Sequence, residues 1–271
     1  MLRRLVKYDM RAIARIALPL YMASGIISLL CCGVLYFTFG FAEEIDSFFS
    51  AILITGGLYA IAVLTIIAMA VVMGVVVIAR YYRAVFTDEG YLNLVIPVSR
   101  RRLLSSKIAS SVIWVLLSAI VAVACLVVSV LLPTLLYDTS LISEAIDLIR
   151  AEAGIDGEEK TLLVYAFCVR LAISLCDLIK DVMLVITAIT VGSAFFKRFR
   201  ICACILLYLG ISLSEQAVFS LMKAIVAVLS SSSAWVSVTL NAMLELALIF
   251  VTFTVGYFIS AYALEKKLDL E

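Results

Sequence analysis

The stretch FSAILITGGLYAIAVLTIIAMAVVMGVVVIA, residues 49–79, contains no charged side chain. A helix needs about 20 apolar residues to cross about 30 Å of hydrocarbon, so this run alone is long enough to span a bilayer. It is one of several. Apolar segments recur at about 16–41, 49–79, 108–137, 161–196, 201–229 and 236–264, each bounded by charges or turn residues. Over 271 residues the chain is 65% hydrophobic and only 15% charged, with a mean hydropathy of +1.18. That composition leaves too little polar surface to face water and excludes a soluble domain. The expected fold is an all-α integral membrane protein, one transmembrane domain of six spans over 1–271.

Charge orders the connections. Basic residues gather before the first span (Arg3, Arg4, Lys7, Arg11, Arg15), between the second and third (Arg80, Arg83, Arg100, Arg101, Arg102, Lys107), between the fourth and fifth (Lys197, Arg198, Arg200) and after the sixth (Lys266, Lys267). The other links are acidic or neutral: AEEIDS at 42–47, DTSLISEAIDLIRAEAGIDGEEK at 138–160 and SSSSAW at 230–235. The positive-inside rule then puts both termini in the cytoplasm and the second set of links outside. Because the basic residues only flank apolar runs, the net charge of +1 carries no signal for nucleic acid. Residues 1–15 place Arg3, Lys7, Arg11 and Arg15 one turn apart, with apolar residues on other faces. The pattern predicts an amphipathic helix lying along the inner surface before the chain turns into the membrane near Pro19. The run 16–41 is too long for the apolar core of a signal peptide, so it reads as an uncleaved first span. Most apolar segments overshoot the hydrocarbon by several residues, up to about 15 Å of helix. The excess is expected outside the membrane as a helical extension, joined by a short amphipathic link within 138–160.

Catalytic motifs are absent. The chain lacks histidine altogether, and with it the commonest general base and transition-metal ligand. No glycine precedes a lysine, so no phosphate-binding loop exists to hold ATP. Seven cysteines, Cys31, Cys32, Cys125, Cys168, Cys176, Cys202 and Cys204, fall almost entirely in apolar runs and read as small hydrophobes. Cys202 and Cys204 are one residue short of the common metal spacing.

Ionisable residues interrupt the last three spans: Arg170, Asp177, Lys180 and Asp181 on the fourth, Glu215 and Lys223 on the fifth, and Glu245 on the sixth. Each costs roughly 2.5–3.5 kcal/mol at the bilayer centre if left unpaired. Asp177 and Asp181 share a helix face with Arg170, and Asn241 precedes Glu245 by one turn. Counted from the basic ends, all lie in the outer half. They fit ion pairs between extended helices, a polar substrate vestibule, or a proton relay through Asp181, Glu215 and Glu245.

The link RYYRAVFTDEGYLNLVIPVSRRRLLSSK, residues 80–107, is unlike the others. Tyr81 and Tyr82 read as interfacial rings. Thr87 or Asp88 can cap a short helix, Pro97 ends it, and Ser99 can cap the next. The result is an exposed knob of acidic, aromatic and leucine side chains between two spans, the kind of surface a protein partner covers.

The motif F-x-x-E-G-Y-L-x-x-x-x-P-V-S, here Phe86, Glu89, Gly90, Tyr91, Leu92, Pro97, Val98 and Ser99 followed by Leu104, Ser106 and Lys107, resembles the six-span permease subunits of bacterial ABC exporters whose ATPase is a separate polypeptide. The opening LVKYDMRAIARIALPLY, residues 5–21, is similar to their basic lead into a proline-containing first span. The resemblance implies that 80–107 is the coupling segment that docks on the ATPase. Asp88, Glu89, Gly90, Tyr91, Leu92 and Pro97 would form the docking element, with Arg100, Arg101, Arg102 and Lys107 anchored at lipid headgroups. It also implies a bacterial plasma-membrane protein working with ABC ATPase subunits and a second permease subunit, identical or related. ATP and magnesium would be bound by the partner ATPase, and this chain would bind no cofactor. The rival readings are a proton-coupled secondary transporter that needs no ATPase, and a non-transporting scaffold or immunity protein.

Overall fold

In the computed structural model, residues 2–40, 48–86, 100–133, 157–195, 199–229 and 234–266 are described. They form six α-helices and, among the described residues, no strand: α1 (Leu2–Gly40), α2 (Phe48–Phe86), α3 (Arg100–Leu126), α4 (Gly157–Phe195), α5 (Arg200–Leu229) and α6 (Ala234–Lys266). A single π-helical turn, Val127–Leu131, prolongs α3. Five stretches are long and apolar enough to cross a membrane: Leu5–Thr38, Thr55–Phe86, Arg100–Ser129, Ile201–Val226 and Val238–Glu265. Several such helices in one chain indicate a multi-pass membrane protein. The helix α4 is not among the five. It carries the ionisable residues of 170–181, and its 182–193 stretch is mostly buried by its neighbours.

Helix α1 departs from expectation. It runs unbroken through Pro19, so residues 2–15 continue into the first apolar run as one helix. Proline removes one backbone donor and crowds the carbonyl four residues back, yet membrane helices tolerate it when neighbours re-satisfy the freed groups.

The chain falls into two compact units, one of Met1–Met10, Val77–Leu116 and Glu158–Glu271, the other of Arg11–Val76 and Leu117–Gly157. In the second unit the buried residues include Cys31, Leu35, Ala62, Met69, Met73 and Cys125. Its buried hydroxyls find partners: Tyr21 Oη and Ser118 Oγ are 2.7 Å apart, and Ser24 Oγ donates to Tyr21 O at 2.9 Å.

The first unit has an apolar cluster drawn from four helices. Tyr81 and Val85 of α2 meet Leu104 and Ile108 of α3, Val182, Met183, Ile186 and Ile189 of α4, and Ala261 and Leu264 of α6. Small residues let the helices approach. Ser106, Ser110 and Ser111 of α3 and Thr187, Thr190 and Ser193 of α4 are all buried. Thr187, Thr190 and Ser193 each return a hydroxyl hydrogen bond to the carbonyl four residues back. Such self-satisfied hydroxyls can face another helix at no desolvation penalty.

Tyr81 corrects the sequence reading. It is 2% exposed, and its hydroxyl lies 2.8 Å from Thr190 Oγ1 on α4. It is thus a core residue holding α2 to α4, whereas its neighbour Tyr82 stacks obliquely on Phe86 at 5.7 Å. Tyr81→Phe should lower stability by about 1 kcal/mol, the usual worth of an interhelical hydrogen bond in a membrane protein. The unfolding midpoint of the purified variant checks this, and Tyr82→Phe should leave that midpoint unchanged.

Candidate functional site

Two polar assemblies lie within the first unit. One is built from the helix ends that flank residues 87–99. The predicted docking residues Asp88, Glu89, Gly90, Tyr91, Leu92 and Pro97 lie outside the described residues, but the helices entering and leaving that segment are described. Tyr81 and Val85 seat the end of α2 in the apolar cluster, and Leu104 and Ile108 seat the start of α3 in the same cluster.

The basic residues that follow are tied inward rather than only outward. Arg100 donates to two terminal carbonyls of α6, Leu264 O at 2.7 Å and Glu265 O at 3.1 Å. The last four carbonyls of a helix have no partner in their own helix and carry the negative end of its dipole, so a guanidinium there caps α6. Arg101 grips the Glu265 carboxylate through two nitrogens, Nε to Oε1 at 2.7 Å and Nη2 to Oε2 at 3.2 Å. This pair is exposed, and at the surface its contribution is small.

Lys107, expected at the headgroups, is instead buried. Its ammonium donates to both oxygens of Asp9 on α1, at 2.6 and 2.7 Å, and the two residues are 8% and 6% exposed. A charge in that position is held because its counter-charge is buried with it. Of the four basic residues, Arg102 stays exposed.

The expectation for residues 1–15 gives Asp9 no role. Its signal was there: it is the one acid among the basic residues of 1–15, and it occupies the apolar stripe with Leu2, Val6, Ile13 and Ile16 rather than the basic one.

The second assembly is a half-open cavity of about 430 Å³ between α4, α5 and α6, lined by Arg170, Asp177, Lys180, Asp181, Glu215 and Glu245, with Tyr208, Ser212, Gln216 and Phe219. Six of the ionisable residues singled out in the sequence therefore converge on one space. The pairing crosses between helices. Arg170 on α4 places one nitrogen 2.8 Å from each oxygen of Glu245 on α6. Lys180 on α4 reaches Glu215 on α5 at 3.0 Å, and on its own helix Asp177 at 3.2 Å and Asp181 at 3.7 Å. Glu215 also receives Thr252 Oγ1 of α6 at 3.4 Å.

Two polar residues from the sequence lie apart from this cavity lining. Lys223 sits over the Phe219 ring, 4.2 Å from its centroid. Asn241 has a buried side-chain oxygen without a hydrogen-bond partner among the described residues.

The cysteines form no bridge among the described residues. Cys31, Cys32 and Cys125 are buried as expected, but Cys168 and Cys202 are exposed on their helices. No set of three or more histidine, cysteine or acidic side chains is placed to hold a metal ion among the described residues. No protein-family description, curated protein or solved structure matches this chain.

Proposed function

We propose that this chain is the membrane subunit of an ATP-driven exporter of the bacterial plasma membrane, working with a separate ABC ATPase. In this reading all six helices cross the membrane, α4 included, with both ends of the chain in the cytoplasm. Residues 87–99 are the element that the ATPase grips. Two permease subunits, identical or related, enclose the pathway, while ATP and magnesium stay on the partner.

The observation that carries the proposal is the mounting of residues 87–99. The helix ends on either side share one apolar cluster with α4 and α6, and α4, α5 and α6 line the polar cavity. A packed interior transmits displacement because it has little free volume to absorb it. A push on 87–99 therefore reaches the cavity walls through Tyr81, Leu104, Met183 and Ile186 as a shift of whole helices. A loop that served only to reverse the chain would need no such footing.

Replacing Tyr91 and Leu92 together by aspartate should abolish co-purification of the ATPase and leave membrane insertion intact. A variant that still captures the ATPase in near-equal amount rules out 87–99 as the docking element. Purified chain that moves cargo across vesicles without any ATPase would favour the proton-coupled alternative.

A further inference from the structure

We infer that the cavity between α4, α5 and α6 binds an organic cation, its ammonium group held by the carboxylates around Lys180 and its apolar part against Tyr208 and Phe219. The charge balance supports this. Arg170 and Glu245 neutralise each other through the two-oxygen contact at 2.8 Å. That leaves Lys180 facing Asp177, Asp181 and Glu215, one positive charge against three negative among the lining side chains, while Lys223 stands over the Phe219 ring outside the lining. Such an excess draws cationic groups to the half-open space that it lines.

The geometry shows what kind of cation fits. Lys180 already displays an ammonium at 3.0–3.7 Å from three carboxylates on two helices, so these oxygens are spaced for a nitrogen carrying several donors. They do not form a cluster suited to a metal ion. The volume of about 430 Å³ far exceeds a bare ion and falls within the range of small organic ligands.

The aromatic wall points the same way from a separate observation. The Phe219 ring that lines the cavity already has the Lys223 ammonium 4.2 Å from its centroid, a contact driven by the negative face of the ring. Carboxylate excess and a cation-attracting ring thus bound one cavity. As the identity of exported cargo, this inference rests on the exporter reading; as a binding site it stands on the cavity alone.

The test uses the full chain in an uncharged detergent, titrated calorimetrically with benzylammonium chloride, whose nitrogen carries three N–H donors. Empty micelles, sodium chloride and sodium benzenesulfonate serve as comparators. Saturable binding is expected for the ammonium alone. Glu215→Gln should weaken it at least about tenfold, and Lys180→Met, which removes the internal competitor, should tighten it by a similar factor. If either variant fails to fold, Asp181→Asn, at the more exposed edge of the group, should weaken binding about threefold and keeps the test open.

Absence of saturable binding, equal binding of the sulfonate, or a Lys180→Met protein that binds no tighter would overturn the inference. None of these readouts involves an ATPase. Lost cation binding with intact ATPase capture removes this site and leaves the exporter, whereas intact binding without ATPase capture does the reverse.

Discussion

Lys107→Met should destabilise the protein by about 3–5 kcal/mol, more than any other single charge removal here, because it strands Asp9 as a buried charge without a partner. The side chains of Lys107 and Asp9 are 10% and 8% exposed, so water cannot take over the lost contacts. Asp9→Asn should cost less, since an amide still offers an oxygen to the ammonium, yet Lys107 would keep its charge unneutralised. The informative variant is the double one. Asp9→Leu with Lys107→Met removes both charges at similar volume and should recover most of the loss, as buried ion pairs often can be replaced by apolar pairs without penalty. Unfolding midpoints of the parent, Asp9→Leu, Lys107→Met and the double variant measure this as a thermodynamic cycle. A double variant as unstable as Lys107→Met would mean that the pair holds α1 to α3 by something other than charge compensation.

The same cycle has a functional arm. Lys107 lies on the first turns of α3, directly after the 87–99 segment, and Asp9 belongs to the same compact unit. If 87–99 is gripped by an ATPase, the paired charges fasten the start of α1 to the helix that receives the displacement. The apolar replacement should then restore folding and transport together, because a packed contact transmits movement as well as an ionic one.

How much of this was legible in the sequence follows from the physics of each feature. Helices were readable because lipid forces uninterrupted apolar length: 49–79 and 201–229 fall within α2 and α5, as expected. The convergence of Arg170, Asp177, Lys180, Asp181, Glu215 and Glu245 was foreshadowed by their cost in an apolar setting, which demands partners. Which residues would pair was not readable, since helix periodicity gives a face and not the neighbour it meets. Arg170 shares a face with Asp177 and Asp181 but bonds Glu245 on α6. The surface position expected of Tyr81 rests on residue type, because tyrosine favours the interface on average, and that of Lys107 on the resemblance of 80–107 to a permease coupling segment. Both prove to be buried, each satisfied by one distant residue, Asp9 or Thr190, and no local pattern announces a contact across 98 or 109 positions. Continuity of α1 through Pro19 was hidden for a related reason, as proline marks a weakened helix turn without deciding whether neighbours support it.

Gly192→Ala and Gly210→Ala should move stability in opposite directions, although both add one methyl group to a helix of the same unit. At Gly192 on α4 an added Cβ would stand 2.6 Å from Cys204 Sγ, 2.9 Å from its backbone nitrogen and 3.0 Å from its Cα. A sulfur can turn aside, but the backbone of α5 cannot, so α4 and α5 must separate and forfeit contacts on both sides of the crossing. Overpacking of this kind costs about 1–3 kcal/mol, and it exceeds what alanine returns in helix propensity. At Gly210 on α5 nothing lies within 4 Å of the added atom, so only the propensity gain remains, roughly 0.5–1 kcal/mol of stabilisation. Gly256 on α6 falls between them. Its Cβ would meet Thr187 Oγ1 at 2.9 Å, a hydroxyl that donates to Gly256 O at 3.2 Å and accepts from Ser260 Oγ at 3.2 Å. Moving that hydroxyl disturbs one small network rather than a helix axis. Unfolding midpoints should therefore rank Gly210→Ala above the parent, Gly256→Ala below it and Gly192→Ala lowest. Because α4 carries Arg170 and Lys180 into the cavity and α5 carries Glu215, prising these helices apart at Gly192 should also weaken organic-cation binding, an effect that Gly210→Ala lacks. Equal midpoints for the Gly192 and Gly210 variants would show that the close approach of α4 to α5 is not what holds the cavity together.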